Sequence, residues 1–282
     1  MTADAPPALA RRAEALAARL PALRAGSVRV ASTVTAGAHA RRRVGPGSSF
    51  WQFRPYVSGD APGQIDSRAS AKSNRAYVRQ TEWELAQTVH IWRDRSASME
   101  WRSGASLPTK TERAALLVLA TAALLLRGGE RVRPLGEPVL PTLERLAEAL
   151  DRQPPANLPG AAPVATHARL LLAGDFLAPV TEIESAIRPY TTRAVRGHLL
   201  QVLDPAELDL PYSGRVRFRG LENEGDTVVA QVEGVRTAYA QAIAAQQAGL
   251  RALCTQAGWT CTLHCTADPP ETALLALYQA IA

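Results

Sequence analysis

From residue 86 onward, short continuous apolar runs alternate with longer stretches of helical period, and the runs end at glycine, proline or a carboxylate. Residues 86–92, 169–174, 197–203 and 259–265 read as buried strands. Residues 131–135 form a shorter strand, which Pro134 confines to an edge or a strand end. Between and after them, helices are predicted over about 110–127, 142–151, 180–189, 234–257 and 270–281. The first of these is announced by the capping box Thr109-x-x-Glu112 and stopped at Gly128-Gly129. It is nearly apolar all round and therefore buried. Strand and helix in alternation require a mostly parallel sheet covered on both faces. Two short runs, 215–219 and 227–232, flank Asn223-Glu224-Gly225-Asp226 and predict a hairpin inserted before the long helix.

The first third of the chain has a different rhythm. Leu9, Leu16, Leu20 and Leu23 recur close to helical spacing among alanines and arginines, so residues 8–23 are expected to form an amphipathic helix that packs on the domain. Glycine and proline punctuate residues 45–63, beginning with the expected turn Gly45-Pro46-Gly47. They predict irregular loops and short strands, followed by a strand over 76–81. The chain thus divides into residues 1–85, a helix and a small β-rich subdomain, and residues 86–282, an α/β domain carrying the hairpin insertion near 213–232.

The chemistry is concentrated where the first buried strand ends. Val89-His90-Ile91-Trp92-Arg93 runs into Asp94-Arg95-Ser96-Ala97-Ser98-Met99, a carboxylate followed by hydroxyls at alternate positions. One carboxylate and two hydroxyls make half of the roughly six-oxygen shell that Mg²⁺ takes. A second strand-end carboxylate, Asp175, follows Leu170-Leu171-Leu172-Ala173-Gly174. Taken alone it reads as a cap or turn residue. In an open α/β sheet, however, ligands gather beyond the carboxyl ends of the strands, where Asp94 and Asp175 can meet. Asp204 is a third such carboxylate, and the proline after it favours a turn role.

Composition narrows the function classes. With 282 residues, 46% of them hydrophobic and 21% charged, the chain is globular rather than disordered. The net charge of +6 comes from 32 basic against 26 acidic residues, a mild excess and a weak footprint for nucleic acid. Arg41, Arg42 and Arg43 form the densest basic cluster and precede Phe50, Trp51, Phe53, Arg54 and Tyr56. Of these, Arg41, Arg42, Arg43, Trp51, Arg54 and Tyr56 are the candidate partner-contact residues, against the alternative of a solvated or internally ion-paired face. The odd set of Cys254, Cys261 and Cys265 is expected of a reducing compartment. The absence of a leader pattern and of an apolar stretch of about 20 residues predicts a cytoplasmic chain with no membrane span.

Other chemistries fit less well. In a strand, Cys261 and Cys265 face one way and His264 the other, which argues against zinc. A phosphatase using Asp94 as nucleophile needs a second acid two residues on, and Ser96 stands there. No Gly-x-Ser-x-Gly elbow surrounds Ser96 or Ser98, and the chain has no phosphate-cradling Gly-x-x-x-x-Gly-Lys loop.

Asp94-x-Ser96-x-Ser98 after an apolar strand, with Asp175 at a later strand end, resembles the metal-ion-dependent adhesion site of von Willebrand factor A-like domains. The stretch from Gly47-Ser48-Ser49-Phe50-Trp51-Gln52-Phe53-Arg54-Pro55 through Gln64-Ile65-Asp66-Ser67-Arg68 and Tyr77-Val78-Arg79-Gln80 to Asp94 resembles the signature of an uncharacterised bacterial family. That family has such a core and is typically paired with MoxR-type AAA+ ATPases. The resemblance runs from about Arg41 to the end of the chain. It implies a von Willebrand A-like, Rossmann-type fold and Mg²⁺ held by Asp94, Ser96, Ser98 and Asp175. It further implies a non-enzymatic interaction role beside a MoxR-type ATPase and a client protein. The chain departs from the pattern at Pro62-Gly63, where a basic residue is usual, and at Ser67, where tryptophan is. The loop over 154–163 also lacks the threonine that completes the adhesion site.

Overall fold

The computed structural model describes residues 5–28, 43–57, 65–71, 75–83, 87–222 and 225–281. They belong to two compact units, Val30–Ala86 and a larger one made of Met1–Arg29 with Gln87–Ala282.

In the smaller unit β1 (Arg43–Pro55) pairs antiparallel with β2 (Tyr77–Trp83), from Arg43 opposite Trp83 to Pro55 opposite Tyr77. The expected turn at Gly45-Pro46-Gly47 does not interrupt β1. It falls instead in a register break between Val44 and Ser49, where glycine and proline are tolerated because ladder bonds are skipped. Between the strands lies a single turn of helix, α2 (Ser67–Ser70). The Ser70 hydroxyl donates to the Asp66 carbonyl at 2.7 Å and accepts from the Tyr77 amide at 2.9 Å, fixing the entry to β2.

The larger unit is built on five parallel strands. These are β3 (Thr88–Arg93), β4 (Arg131–Pro134), β5 (Arg169–Gly174), β6 (Arg196–Leu203) and β9 (Thr260–Cys265), in the spatial order β4-β3-β5-β6-β9. As Pro134 requires, β4 is an edge strand. The chain moves outward from β3 to β4, returns past β3 to β5, and then proceeds the other way. Because crossovers are right-handed, this reversal sends successive helices to opposite faces. On one face α3 (Lys110–Arg127), α4 (Leu143–Arg152) and α8 (Pro270–Ile281) enclose Val89, Ile91, Leu171, Ala173, Leu200 and Val202. On the other, α5 (Val180–Thr191) and α7 (Val232–Gln256) cover Trp92, Leu170, Leu172 and Leu199. This is a doubly wound, Rossmann-like α/β fold.

α1 (Pro6–Val28) packs on α3, α4 and α8 through Leu9, Ala10, Ala13, Leu16 and Ala17, and Arg19 pairs with Glu271 of α8 at 2.5 Å. The helix therefore belongs to the α/β unit, and not with the β-rich segment that follows it. Between β6 and α7 the chain forms the short helix α6 (Pro205–Asp209) and the antiparallel hairpin of β7 (Val216–Arg219) and β8 (Asp226–Val229), the predicted insertion. No helix among the described residues is long and apolar enough to cross a membrane.

Candidate functional site

The strand order reverses between β3 and β5, which makes their carboxyl ends the switch point where ligands bind in such sheets. Asp94 follows β3 and its amide still donates to the Ala173 carbonyl of β5 at 2.7 Å, so it is fixed as rigidly as the strand itself. Gly174, opposite it, is needed for close approach, since a Cβ there would lie 2.8 Å from the Asp94 Cβ. After Asp175 the backbone turns through a left-handed Phe176 (φ 48°), a costly conformation for a bulky residue, offset by complete burial of the ring beside Trp92.

The structure brings together the four oxygen residues singled out in the sequence. Asp94 Oδ1 accepts from the Ser96 amide at 2.8 Å and the Ser96 hydroxyl at 2.6 Å. Ser96 Oγ lies 3.1 Å from Ser98 Oγ, and the Ser98 hydroxyl donates to Asp175 Oδ2 at 2.7 Å. Ser96 precedes the 3-10 turn Ala97–Glu100 but makes no capping bond, its hydroxyl being turned to Asp94. Asp94 Oδ2 is buried and has no hydrogen-bond partner. Burial pushes the Asp94 carboxyl up to about 6. The two Ser96 hydrogen bonds oppose this, while Asp175 and Glu222 add to it.

Three further charged residues meet here that the strand-end pattern did not single out. Lys110, the first residue of α3, is wholly buried; its Nζ lies 2.9 Å from Asp175 Oδ2 and 2.6 Å from Glu207 Oε1 of α6. Burial acts to lower the Lys110 pKa, but the two carboxylates outweigh it and hold the ammonium above its ordinary value. From the far side, Glu222 accepts from the Ser98 amide at 3.2 Å. The sequence held a signal for two of the three. A lysine opening a helix opposes the helix dipole and calls for local carboxylates, and Asp204-Pro205-x-Glu207 has the spacing of a capping box. That box is present, with Asp204 capping α6 and also accepting from the Ser103 amide at 2.9 Å, so the third strand-end carboxylate is structural.

A cavity of about 740 Å³ opens against Ser98 and Asp175. It runs beneath the β7–β8 hairpin, between the rings of Trp101, Tyr212, Phe218 and Tyr239, with Glu207 and Glu222 also in its lining. Its walls combine these rings and aliphatic side chains with Asn157, Glu182, Arg217 and Arg219, and Asp175 and Glu207 make it acidic beside Ser98.

The other candidate residues lie elsewhere. Arg41 and Arg42 fall outside the described residues. Arg43, Trp51 and Arg54 are on β1 and Tyr56, which is exposed, follows it, all in the smaller unit. On β9, His264 is buried, while Cys261 packs with Cys254 in the opposite layer, and their thiols are hydrogen-bonded.

Buried titratable groups give this unit a defined acid response. Burial lowers His90, His198 and His264, one on each of three sheet strands, to about 4. The unfolded chain takes up these protons near 6.5 and the folded chain only near 4. The three histidines therefore favour the fold above about pH 6.5, and that contribution is lost as pH falls toward 4, at up to about 1.4 kcal/mol per pH unit for each. Asp94 acts oppositely, since its raised pKa favours the fold as pH falls from about 6, and it cancels about one of the three. Urea-unfolding free energies should consequently fall between pH 7 and pH 5. A profile that rises or stays flat would show that the histidines are solvated.

Fold and geometry together define a doubly wound α/β domain with an oxygen-rich site at its switch point. Residues 52–138 and 146–249 match the family model described as a protein of unknown function, DUF58, and the chain belongs to that family. Comparison with the curated proteins finds no match. Among solved structures, the chain is similar to the conserved hypothetical protein BatB from Bacteroides thetaiotaomicron, at 16% identity and a TM-score of 0.40, over 69% of this chain and 97% of that one. It is also similar to an aerotolerance-related membrane protein from Bacteroides fragilis, at 16% identity and a TM-score of 0.39, over 69% and 98%.

Proposed function

We propose that the protein is a non-enzymatic recognition domain of the von Willebrand factor A-like type. Asp94, Ser96, Ser98 and Asp175 would hold Mg²⁺, and the adjoining cavity would receive a partner segment. The observation that carries this reading is the buried, unpartnered Oδ2 of Asp94 beside two serine hydroxyl oxygens 3.1 Å apart that lead to Asp175. The donors are all oxygen, as a hard divalent cation requires, and they supply part of its shell, leaving positions for water or a partner. When bound, the ion offers a Lewis-acidic position for a partner's carboxylate. The chain's own residues do the rest: the parallel strands hold the two aspartates, and the aromatic cavity walls offer area for a side chain beside the contact. The sequence signature supports a MoxR-type AAA+ ATPase as partner and a client protein as the object of their joint action. A non-enzymatic role is supported by Ser96, which stands where a phosphoryl-transferring site needs its second acid.

Lys110 favours a second reading, a scaffold of the same fold that needs no ion, because Asp175 already has a cation against it. Calorimetric titration with Mg²⁺ and Mn²⁺ separates the two. On the first reading the wild-type protein binds the ion and Asp94→Ala abolishes the binding. Unchanged affinity in Asp94→Ala would remove Asp94 from the site, and no binding at millimolar metal would leave the scaffold.

A further inference from the structure

Asp175 Oδ2 serves two groups at once. It accepts from the Ser98 hydroxyl on the side of the proposed ion and from the Lys110 ammonium on the side of α6. The ammonium has no access to water and is shared between two carboxylates on separate elements, the strand end of β5 and the short helix α6. Glu207 is itself fixed by its capping bond to the Asp204 amide at 2.9 Å. Lys110 thus ties the carboxyl ends of β5 and β6 to the first turn of α3.

From this arrangement we infer that Lys110 is the resident cation of the site. It holds Asp175 and Glu207 in place without a metal, and it sets the divalent-ion affinity by competing for Asp175 Oδ2. The inference rests on the metal reading above and adds what regulates it. A carboxylate already neutralised by an ammonium is a weaker ligand, and a fixed positive charge in a poorly solvated site repels a doubly charged ion more strongly than it would in water. Wild-type affinity is accordingly held low, so that ion binding is favoured when a partner supplies a further oxygen or when Lys110 is drawn away toward Glu207.

The test is titration with MgCl₂ and MnCl₂ of the wild-type protein, Lys110→Met and the double variant Lys110→Met/Glu207→Gln, each with and without Asp94→Ala. Lys110→Met should bind at least about tenfold more tightly than wild type. The double variant restores the net charge of the wild-type site while freeing Asp175, so it should keep most of that gain. It also carries the test if Lys110→Met alone does not fold. In every background Asp94→Ala should remove the binding. If wild-type protein binds through Asp94 and Lys110→Met is no tighter, the role of Lys110 is overturned while the metal reading stands. A gain in Lys110→Met that disappears in the double variant overturns competition for Asp175. Binding by none of the proteins overturns both.

Discussion

Gly197→Ala should destabilise the α/β unit by about 2–3 kcal/mol or more, although alanine is by itself the better strand residue by about 0.5–1 kcal/mol. Gly197 lies in β6 opposite Leu170, and a Cβ added to it would stand 2.2 Å from Cδ2 and Cε3 of Trp259. The indole has no easy retreat. It is 4% exposed, packed in the α5/α7 layer, and held by a 2.8 Å hydrogen bond from its Nε1 to the Val195 carbonyl. Any shift that admits the methyl must break that bond or separate β6 from the approach to β9. Urea denaturation of the single variant and of the same change in a Trp259→Ala background provides the check. The three atoms nearest the added Cβ all belong to the indole, so in the second background the substitution should cost much less. An equal cost in both would refute the steric account.

Lys110→Met should cost about 3–5 kcal/mol when measured in EDTA, the range found when one partner of a buried ion pair is removed and the other charge is left behind. The methionine fills most of the lysine's volume, so the loss reports charge rather than packing. Two carboxylates are stranded, Asp175 and Glu207, with side chains 7% and 15% exposed. Adding Glu207→Gln removes one of them and should return part of the stability. A cost below about 1 kcal/mol, the size typical of exposed pairs, would mean that the ammonium contributes no more than a surface lysine does. The loss is large against the ordinary 5–15 kcal/mol of a domain, yet within it.

The sequence made the α/β unit readable because its signals agree with one another. The apolar strands, the Thr109–Glu112 capping box and the edge-forming Pro134 all specify the same layers, and Asp94, Ser96, Ser98 and Asp175 meet as their strand-end positions predict. Two things were less legible. The path of β1 through Gly45-Pro46-Gly47 depends on a register break in its pairing with β2, a non-local matter that local turn chemistry does not encode. Lys110, Glu207 and Glu222 join the site from α3, α6 and the loop between β7 and β8, and their convergence depends on the packing of those elements rather than on any local pattern. For Lys110 the clue was an inconsistency, a cation at the wrong end of an apolar helix.

The packing of α1 on α8 bears on how the protein is made. The α1 helix completes its packing partly against a helix that ends at Ile281, with the β1–β2 unit lying between α1 and β3 in sequence. On the ribosome α1 emerges before α3 and α4, and α8 after them, so the layer they share is completed only once α8 has been made. The α5/α7 layer draws on neither helix. Vectorial synthesis thus leaves Leu9 and Leu16 without their full set of neighbours until α8 has been made. Until that layer closes, this apolar face of the nascent chain is open to aggregation.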